Sequence, residues 1–225
     1  MNYGEILEKL KESPVPLESV QCDIVPSGLK MVNHFHPWSI SETEFNFITN
    51  KIIERNLKDG FEIATAFGIS ALAAGLGFKE TGGYLVTMDA YIEEHYNYCG
   101  GYRESRNETY KDMDGFKSVN HICKTFDLVN TVYPVVGWSP DDIGKFLVGL
   151  KLDYAFIDGG HWNEQVIRDA RGIKEYLSED KFTVFFHDGH SITDGVRQEL
   201  SEIIGGEFKT VLSMPHSWNL GVIER

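Results

Sequence analysis

Two short stretches hold the densest concentration of reactive side chains. Asp153-Tyr154-Ala155-Phe156-Ile157-Asp158-Gly159-Gly160-His161-Trp162 runs from an apolar segment into an acid, two glycines and a histidine. Thr183-Val184-Phe185-Phe186-His187-Asp188-Gly189-His190 repeats the plan, with an acid flanked by two histidines. Each reads as a buried strand that delivers polar groups at its C-terminal end. If the two strands are neighbours, Asp158 and Asp188 come close together. Carboxylates that near repel unless a proton, a cationic ligand or a divalent metal lies between them. Carboxylates favour Mg²⁺ or Mn²⁺, and the histidines also suit Fe, Co or Zn. The competing reading makes one aspartate a helix cap and each histidine a packed or surface residue.

A third stretch is Phe61-Glu62-Ile63-Ala64-Thr65-Ala66-Phe67-Gly68-Ile69-Ser70-Ala71. A β-like run leads through small residues into a helix start. Small side chains let backbone approach a ligand, and the helix N-terminus offers unpaired N–H groups. Glu62 decides what kind of ligand. A carboxylate ending a buried strand needs a cationic or hydrogen-bonding partner. It repels a pyrophosphate and suits a cationic, hydroxyl-bearing ligand such as S-adenosylmethionine (SAM). A fourth stretch, Leu85-Val86-Thr87-Met88-Asp89, ends a strand in an acid about 20 residues after the first turn, a place from which it can accept from ribose hydroxyls.

These groups need a frame. Strands are expected at 60–65, 83–88, 131–136, 152–158, 181–187, 207–213 and 219–224. Helices are expected at 69–78, 107–126, 139–148, 163–177 and 192–204. Val166, Ile167, Ala170, Ile173 and Leu177 give the fourth of these an apolar face. Alternating strands and helices imply an α/β fold with a mostly parallel sheet covered on both sides. Only Pro215-His216-Ser217-Trp218 separates the final two strands, too little for a crossover helix. They should therefore form an antiparallel hairpin.

Upstream, Ser41 and Glu44 form a capping box for a helix through residue 56 with Phe45, Ile48 and Ile52 on one face. Ile6, Leu7 and Leu10 suggest a short N-terminal helix, ended by Ser13-Pro14-Val15-Pro16. Residues 1–40 read as an N-terminal cap on a single domain of 225 residues. Within it, His34-Phe35-His36-Pro37-Trp38 either lines a pocket or packs the domain edge, and metal chelation by its two histidines is a further reading. Residues 90–118 hold five tyrosines around Gly100-Gly101, and read equally as a lid or as a surface excursion or homo-oligomer contact.

Composition narrows the partners. A net charge of −13 argues against a broad nucleic-acid or anionic-membrane surface. No apolar run approaches a membrane span, and the first residues do not read as a signal peptide. Cys22, Cys99 and Cys123 are scattered and odd in number, which favours a reducing cytoplasm over a disulfide framework.

Taken in order, these stretches resemble the class I SAM-dependent methyltransferases, and within them the small O-methyltransferases of the catechol type and the antibiotic- and sugar-modifying group. The likeness covers roughly residues 40–225. Glu62 through Ala71 is similar to the glycine-rich first motif, Asp89 falls at the ribose-binding acid, and Val136-Gly137-Trp138-Ser139 resembles the segment flanking the adenine. Phe156-Ile157-Asp158-Gly159-Gly160-His161 resembles the metal-and-base motif, and Phe186-His187-Asp188 the second metal strand. Three departures stand out. Ala64 replaces the usual first glycine, Gly189 replaces an amide ligand, and His187 stands where sugar-modifying relatives carry an acid.

The resemblance implies a Rossmann-like, doubly wound, seven-stranded sheet with the last strand antiparallel. It implies methyl transfer from SAM to a hydroxyl of a small molecule. Glu62, Ala64, Ala66, Gly68, Ser70, Asp89, Gly137, Trp138 and Ser139 would bind SAM. Asp158, His187 and Asp188 would hold Mg²⁺ or Mn²⁺. Asp158 and His161 would be catalytic, His161 as the base, because an unperturbed imidazole titrates near neutrality. Rival readings are a metal-free N-methyltransferase and a SAM-binding protein without transferase activity. A nicotinamide enzyme fits less well, since its phosphate turn wants more glycine and Glu62 would face a pyrophosphate.

Overall fold

The computed structural model describes residues 3–10, 40–90, 115–160, 162–187, 192–212 and 220–225. The elements in order are α1 (Tyr3–Leu10), α2 (Glu42–Arg55), β1 (Asp59–Ile63), α3 (Ile69–Thr81), β2 (Tyr84–Asp89), α4 (Gly115–Thr125) and β3 (Val132–Val136). They continue with α5 (Ile143–Phe146), β4 (Tyr154–Ile157), α6 (Asn163–Lys174), β5 (Thr183–Phe186), α7 (Asp194–Ile204), β6 (Lys209–Leu212) and β7 (Leu220–Glu224).

The strands form one seven-stranded sheet in the order β3-β2-β1-β4-β5-β7-β6. β7 runs antiparallel to both β5 and β6, and the other pairings are parallel. The expected hairpin is present, with its second strand inserted between β5 and β6. From β1 the chain winds outward to β3, then returns to start β4 on the other side of β1. The sheet reverses its winding between β1 and β4, where open α/β sheets leave a crevice.

Strand alternation splits the core in two. Tyr154, Phe156 and Phe185 turn to one face, against α2, α3 and α4. Phe61, Ile63, Ala155, Ile157, Val184 and Phe186 turn to the other, against α5, α6 and α7. Both faces are covered, so the central strands read as continuous apolar runs. In α6 the apolar face is Val166, Ala170 and Ile173, with Asp169 buried among them.

Several boundaries differ from expectation. β1 stops at Ile63 because Ala64 and Ala66 take φ of 70° and 46°, which no strand accommodates. The helix expected at 139–148 contracts to Ile143–Phe146, since a turn over residues 139–142 that contains Pro140 occupies its first positions. Of the segment expected at 90–118, residues 91–114 lie outside the described residues, and 115–118 are the first turn of α4. The His34–Trp38 cluster lies outside them as well. The expected N-terminal helix is present as α1, with Ile6 and Leu10 buried.

α2 is held at its start by the capping box. Ser41 Oγ accepts from the Glu44 N–H at 3.3 Å, and Glu44 Oε2 accepts from the Ser41 N–H at 2.7 Å and its Oγ–H at 2.8 Å. Ser41→Ala should therefore cost about 1 kcal/mol, measured as a lower midpoint of chemical unfolding.

Candidate active site

Register places the strand ends side by side. Ile63 of β1 pairs with Met88 of β2 and Ile157 of β4, and Ile157 pairs with Phe186 of β5. The residues that follow, Asp89, Ala64, Asp158 and His187, therefore emerge along one edge.

Glu62 lies one residue inside β1 and is 1% exposed. Thr87 Oγ donates to Glu62 Oε2, and the Thr65 and Thr87 hydroxyls are themselves bonded. Burial pushes the Glu62 carboxyl up to about 7, although Ser70 and Thr87 pull it down. Asp89 closes the turn from the β2 side, its Oδ2 accepting the Ala66 N–H at 2.8 Å. Gly68 caps α3 at φ 90°, and a Cβ there would sit 2.8 Å from Val119 Cγ2. Ser70 lies buried in the first turn of that helix.

The next loop follows β3. The Gly137 N–H donates to the Asp89 carbonyl at 2.9 Å, and the Trp138 N–H to Asp142 Oδ2 at 2.8 Å. Trp138 is half exposed. Ser139 Oγ donates to Asp169 Oδ1 at 2.5 Å, and Gln165 Nε2 donates to that same oxygen at 2.7 Å and to the Ser139 carbonyl at 3.2 Å. Asp169 is fully buried, and burial pushes its carboxyl up to about 6 against the pull of Ser139 and Gln165.

At the end of β4, Asp158 Oδ1 lies 2.9 Å from His187 Nδ1, and His187 Nε2 lies 3.6 Å from Glu44 Oε1. Burial alone would lower the imidazole's pKa. The carboxylates of Asp158 and Glu44 outweigh it and raise the pKa to about 10, so the ring is cationic at neutral pH. Glu44, itself 1% exposed, is held below the usual carboxylate range: burial opposes this, and His187 and Ser41 prevail.

His161, Asp188 and His190 lie outside the described residues. The expected closeness of Asp158 and Asp188 therefore falls outside the described residues; within them, His187 meets Asp158. Among the described residues no group of three or more acids, histidines and cysteines is arranged to hold a metal. Once Nδ1 gives up its proton, the Asp158–His187 pair has donors that fit a divalent ion. Neighbouring ligands about 2.1 Å from one ion stand about 3 Å apart, and Glu44 behind the ring is the carboxylate that a ligating imidazole usually engages.

Nothing in the residue pattern assigns Thr65, Thr87, Glu44, Gln165 or Asp169 to this edge. Thr87 and Thr65 looked like ordinary strand and turn residues. Glu44 was read as a cap, and nothing in the pattern gives its second oxygen a partner. Asp169 did leave a signal: three residues after Val166 and one before Ala170, it is an acid inside an apolar stripe.

The comparisons with known proteins now bear on this edge. A family model described as "Methyltransferase domain" matches residues 61–189, more than half of the chain. The chain belongs to this methyltransferase family. It is a class I SAM-dependent methyltransferase. Its fold is similar to that of an O-methyltransferase from Bacillus cereus solved in complex with SAH, at 14% identity and a TM-score of 0.58, covering 98% of this chain and 89% of that one. It is also similar to the SAH-bound methyltransferase PaMTH1 of Podospora anserina, at 14% identity and a TM-score of 0.57, covering 98% and 93%. TomG, the O-methyltransferase of Streptomyces achromogenes involved in tomaymycin synthesis and solved with SAM, matches at 16% identity and a TM-score of 0.54, covering 84% and 82%. No curated protein matches the chain.

Two outcomes test the methyltransferase's first turn. Ala64 holds a left-handed backbone at φ 70°, so Ala64→Gly should raise unfolding stability by about 0.5–1 kcal/mol. For Glu62 the folded pKa, about 7, exceeds its ordinary 4.5. The folded state thus holds a proton that the unfolded chain releases, and this contribution to stability grows as pH falls through 7 and is complete below 4.5. Glu62→Gln should accordingly raise the melting temperature at pH 8 and give progressively less gain towards pH 5.

Proposed function

We propose that the chain transfers the methyl group of SAM to a hydroxyl of a small molecule. The observation that carries this reading is Asp158. It emerges beside the Glu62–Gly68 turn and is held by His187, so an acid stands fixed next to the cofactor cradle. The O-methyltransferases of Bacillus cereus and Streptomyces achromogenes, similar in fold, support it.

Glu62 offers a carboxylate to the cationic end of SAM, and Asp89 keeps acceptor oxygens for the ribose hydroxyls. The backbone of Ala64, Ala66 and Gly68, with Ser70, lines the methionine side. Gly137, Trp138 and Ser139 flank the adenine. In the transfer, the bond from sulfur to methyl breaks as a bond from the acceptor oxygen to methyl forms. The sulfonium becomes the neutral thioether of S-adenosylhomocysteine (SAH), and the hydroxyl proton passes to His161. Asp158 orients that hydroxyl.

A divalent ion, Mg²⁺ or Mn²⁺, would be held by Asp158 and His187 together with Asp188. When bound, it would lower the pKa of the hydroxyl. Glu44 would then accept the remaining ring N–H of His187 and fix the ring's orientation. A cytoplasmic location is supported by the free, buried thiol of Cys123.

The test is methyl transfer to panels of small hydroxyl and amine acceptors, with Mg²⁺ or with EDTA. Hydroxyl products are expected, and EDTA should lower the rate. His161→Ala should reduce kcat by ~10²–10⁴-fold while SAM affinity stays nearly intact. Amine products insensitive to EDTA would replace this reading with N-methylation. SAM binding without turnover on any acceptor would leave a binding protein.

A further inference from the structure

Asp169 joins two segments of the candidate cofactor edge. From α6 it reaches Ser139, which follows β3, and its Oδ2 would lie 2.7 Å from a Cβ on Gly159, which follows β4. Both loops leave the sheet at its C-terminal edge. A carboxylate so fully buried is costly unless its position is needed, and only Oδ1 has hydrogen-bond partners among the described residues.

An ionised carboxylate can only accept. Its partners must therefore donate. The Ser139 hydroxyl proton is committed to Asp169, so towards any other group Ser139 Oγ can only accept. The Gln165 amide is committed in the same way, its Nε2 donating to Asp169 Oδ1 and to the Ser139 carbonyl. That fixes the amide's orientation and turns its Oε1 away from the carboxylate. One buried acid thus makes acceptors of two neighbouring polar groups.

We infer that Asp169 is a positioning residue that sets Ser139 and Gln165 as acceptors for the exocyclic amine of the cofactor's base, so that the site selects adenine over a 6-oxo purine. The inference rests on the proposed placement of adenine beside Val136–Ser139. The 6-amino group is the donor on the adenine ring, and two fixed acceptors match it. A 6-oxo group in the same place would set oxygen against oxygen and leave buried acceptors unpaired. Sites built on buried hydrogen-bonding groups reject mismatched analogues far better than apolar sites do.

The experiment is calorimetric binding of two probes, SAH and its deaminated analogue S-inosylhomocysteine. Wild type should prefer SAH by at least about 100-fold. Asp169→Asn lets the side chain donate, which releases Ser139 and Gln165 to turn, and Gln165→Leu removes one acceptor. Each should cut the preference to about tenfold or less, chiefly by weakening SAH. A merely structural role would lower the unfolding midpoint and leave the ratio of the two affinities intact. Gln165 is partly exposed, so Gln165→Leu carries the test if Asp169→Asn does not fold. Folded variants with the wild-type preference, or a wild type that binds both probes alike, would overturn the inference. A wild type that binds neither probe would overturn the cofactor reading along with it.

Discussion

A carboxylate stripped of water at the tip of the central strand governs this end of the molecule. Glu62 lies in the strand around which the sheet reverses direction, with β2 on one side and β4 on the other. Its desolvation is offset by hydroxyls brought from elsewhere: Thr87 on β2, Thr65 in the turn through Thr87, and Ser70 on α3. The offset is incomplete, since the carboxyl remains well above its ordinary range. Protonation relieves the imbalance, and a bound cation would relieve it as well. The turn is shaped accordingly. Two alanines in left-handed conformations carry the chain from β1 to α3 in few residues, and Asp89 holds the Ala66 N–H. Such strain persists only where surrounding contacts determine the backbone, and here the hydroxyl network and the Asp89 bond do so.

A second buried charge system couples the sheet to α2. His187 lies between Asp158 and Glu44, and Glu44 also closes the capping box of α2. The start of that helix and the end of β5 are thus tied through one imidazole. Removing a single member would leave a buried charge without its partner, which typically costs 3–5 kcal/mol, whereas an exposed pair such as Lys79–Asp127 is worth little.

Much of this architecture could be read from the chain because its signals are local. Phe185 and Phe186 announce a buried strand, Ser41 and Glu44 a helix start, and the four residues between the last strands a hairpin. Asp89, Asp158 and His187 are legible as candidate site residues because a strand's last residues fall at the ligand edge whatever the register. What remained hidden depends on pairing between distant elements. That His187 meets Asp158 follows from β4 lying beside β5, but its contact with Glu44 needs the packing of α2 onto the same face. β1 ends before the expected residue 65 because nothing in Ala64 or in the strand-forming Thr65 announces the turn, and only the turn forces φ positive at Ala64 and Ala66. Asp169 was legible as an anomaly, an acid in an apolar stripe, without any sign of its partners.

The edge follows one rule applied four times. Glu62, Asp89, Asp158 and Asp169 come from β1, β2, the end of β4 and α6, and each is met by at least one group from outside its own element. Those groups are hydroxyls, a backbone N–H, an imidazolium, and a hydroxyl with an amide. Each carboxylate therefore reports on the placement of two elements at once, and a shift of either exposes an unsatisfied charge. Acids held this way give the crevice a negative potential in a low-dielectric wall, and it deepens as Glu62 loses its proton around pH 7. That potential favours a sulfonium over the neutral thioether left after transfer. The same field that helps to bind the cofactor therefore stabilises its charged form. In the proposed transfer, the acceptor's approach and the loss of its proton would supply the driving force that this stabilisation removes.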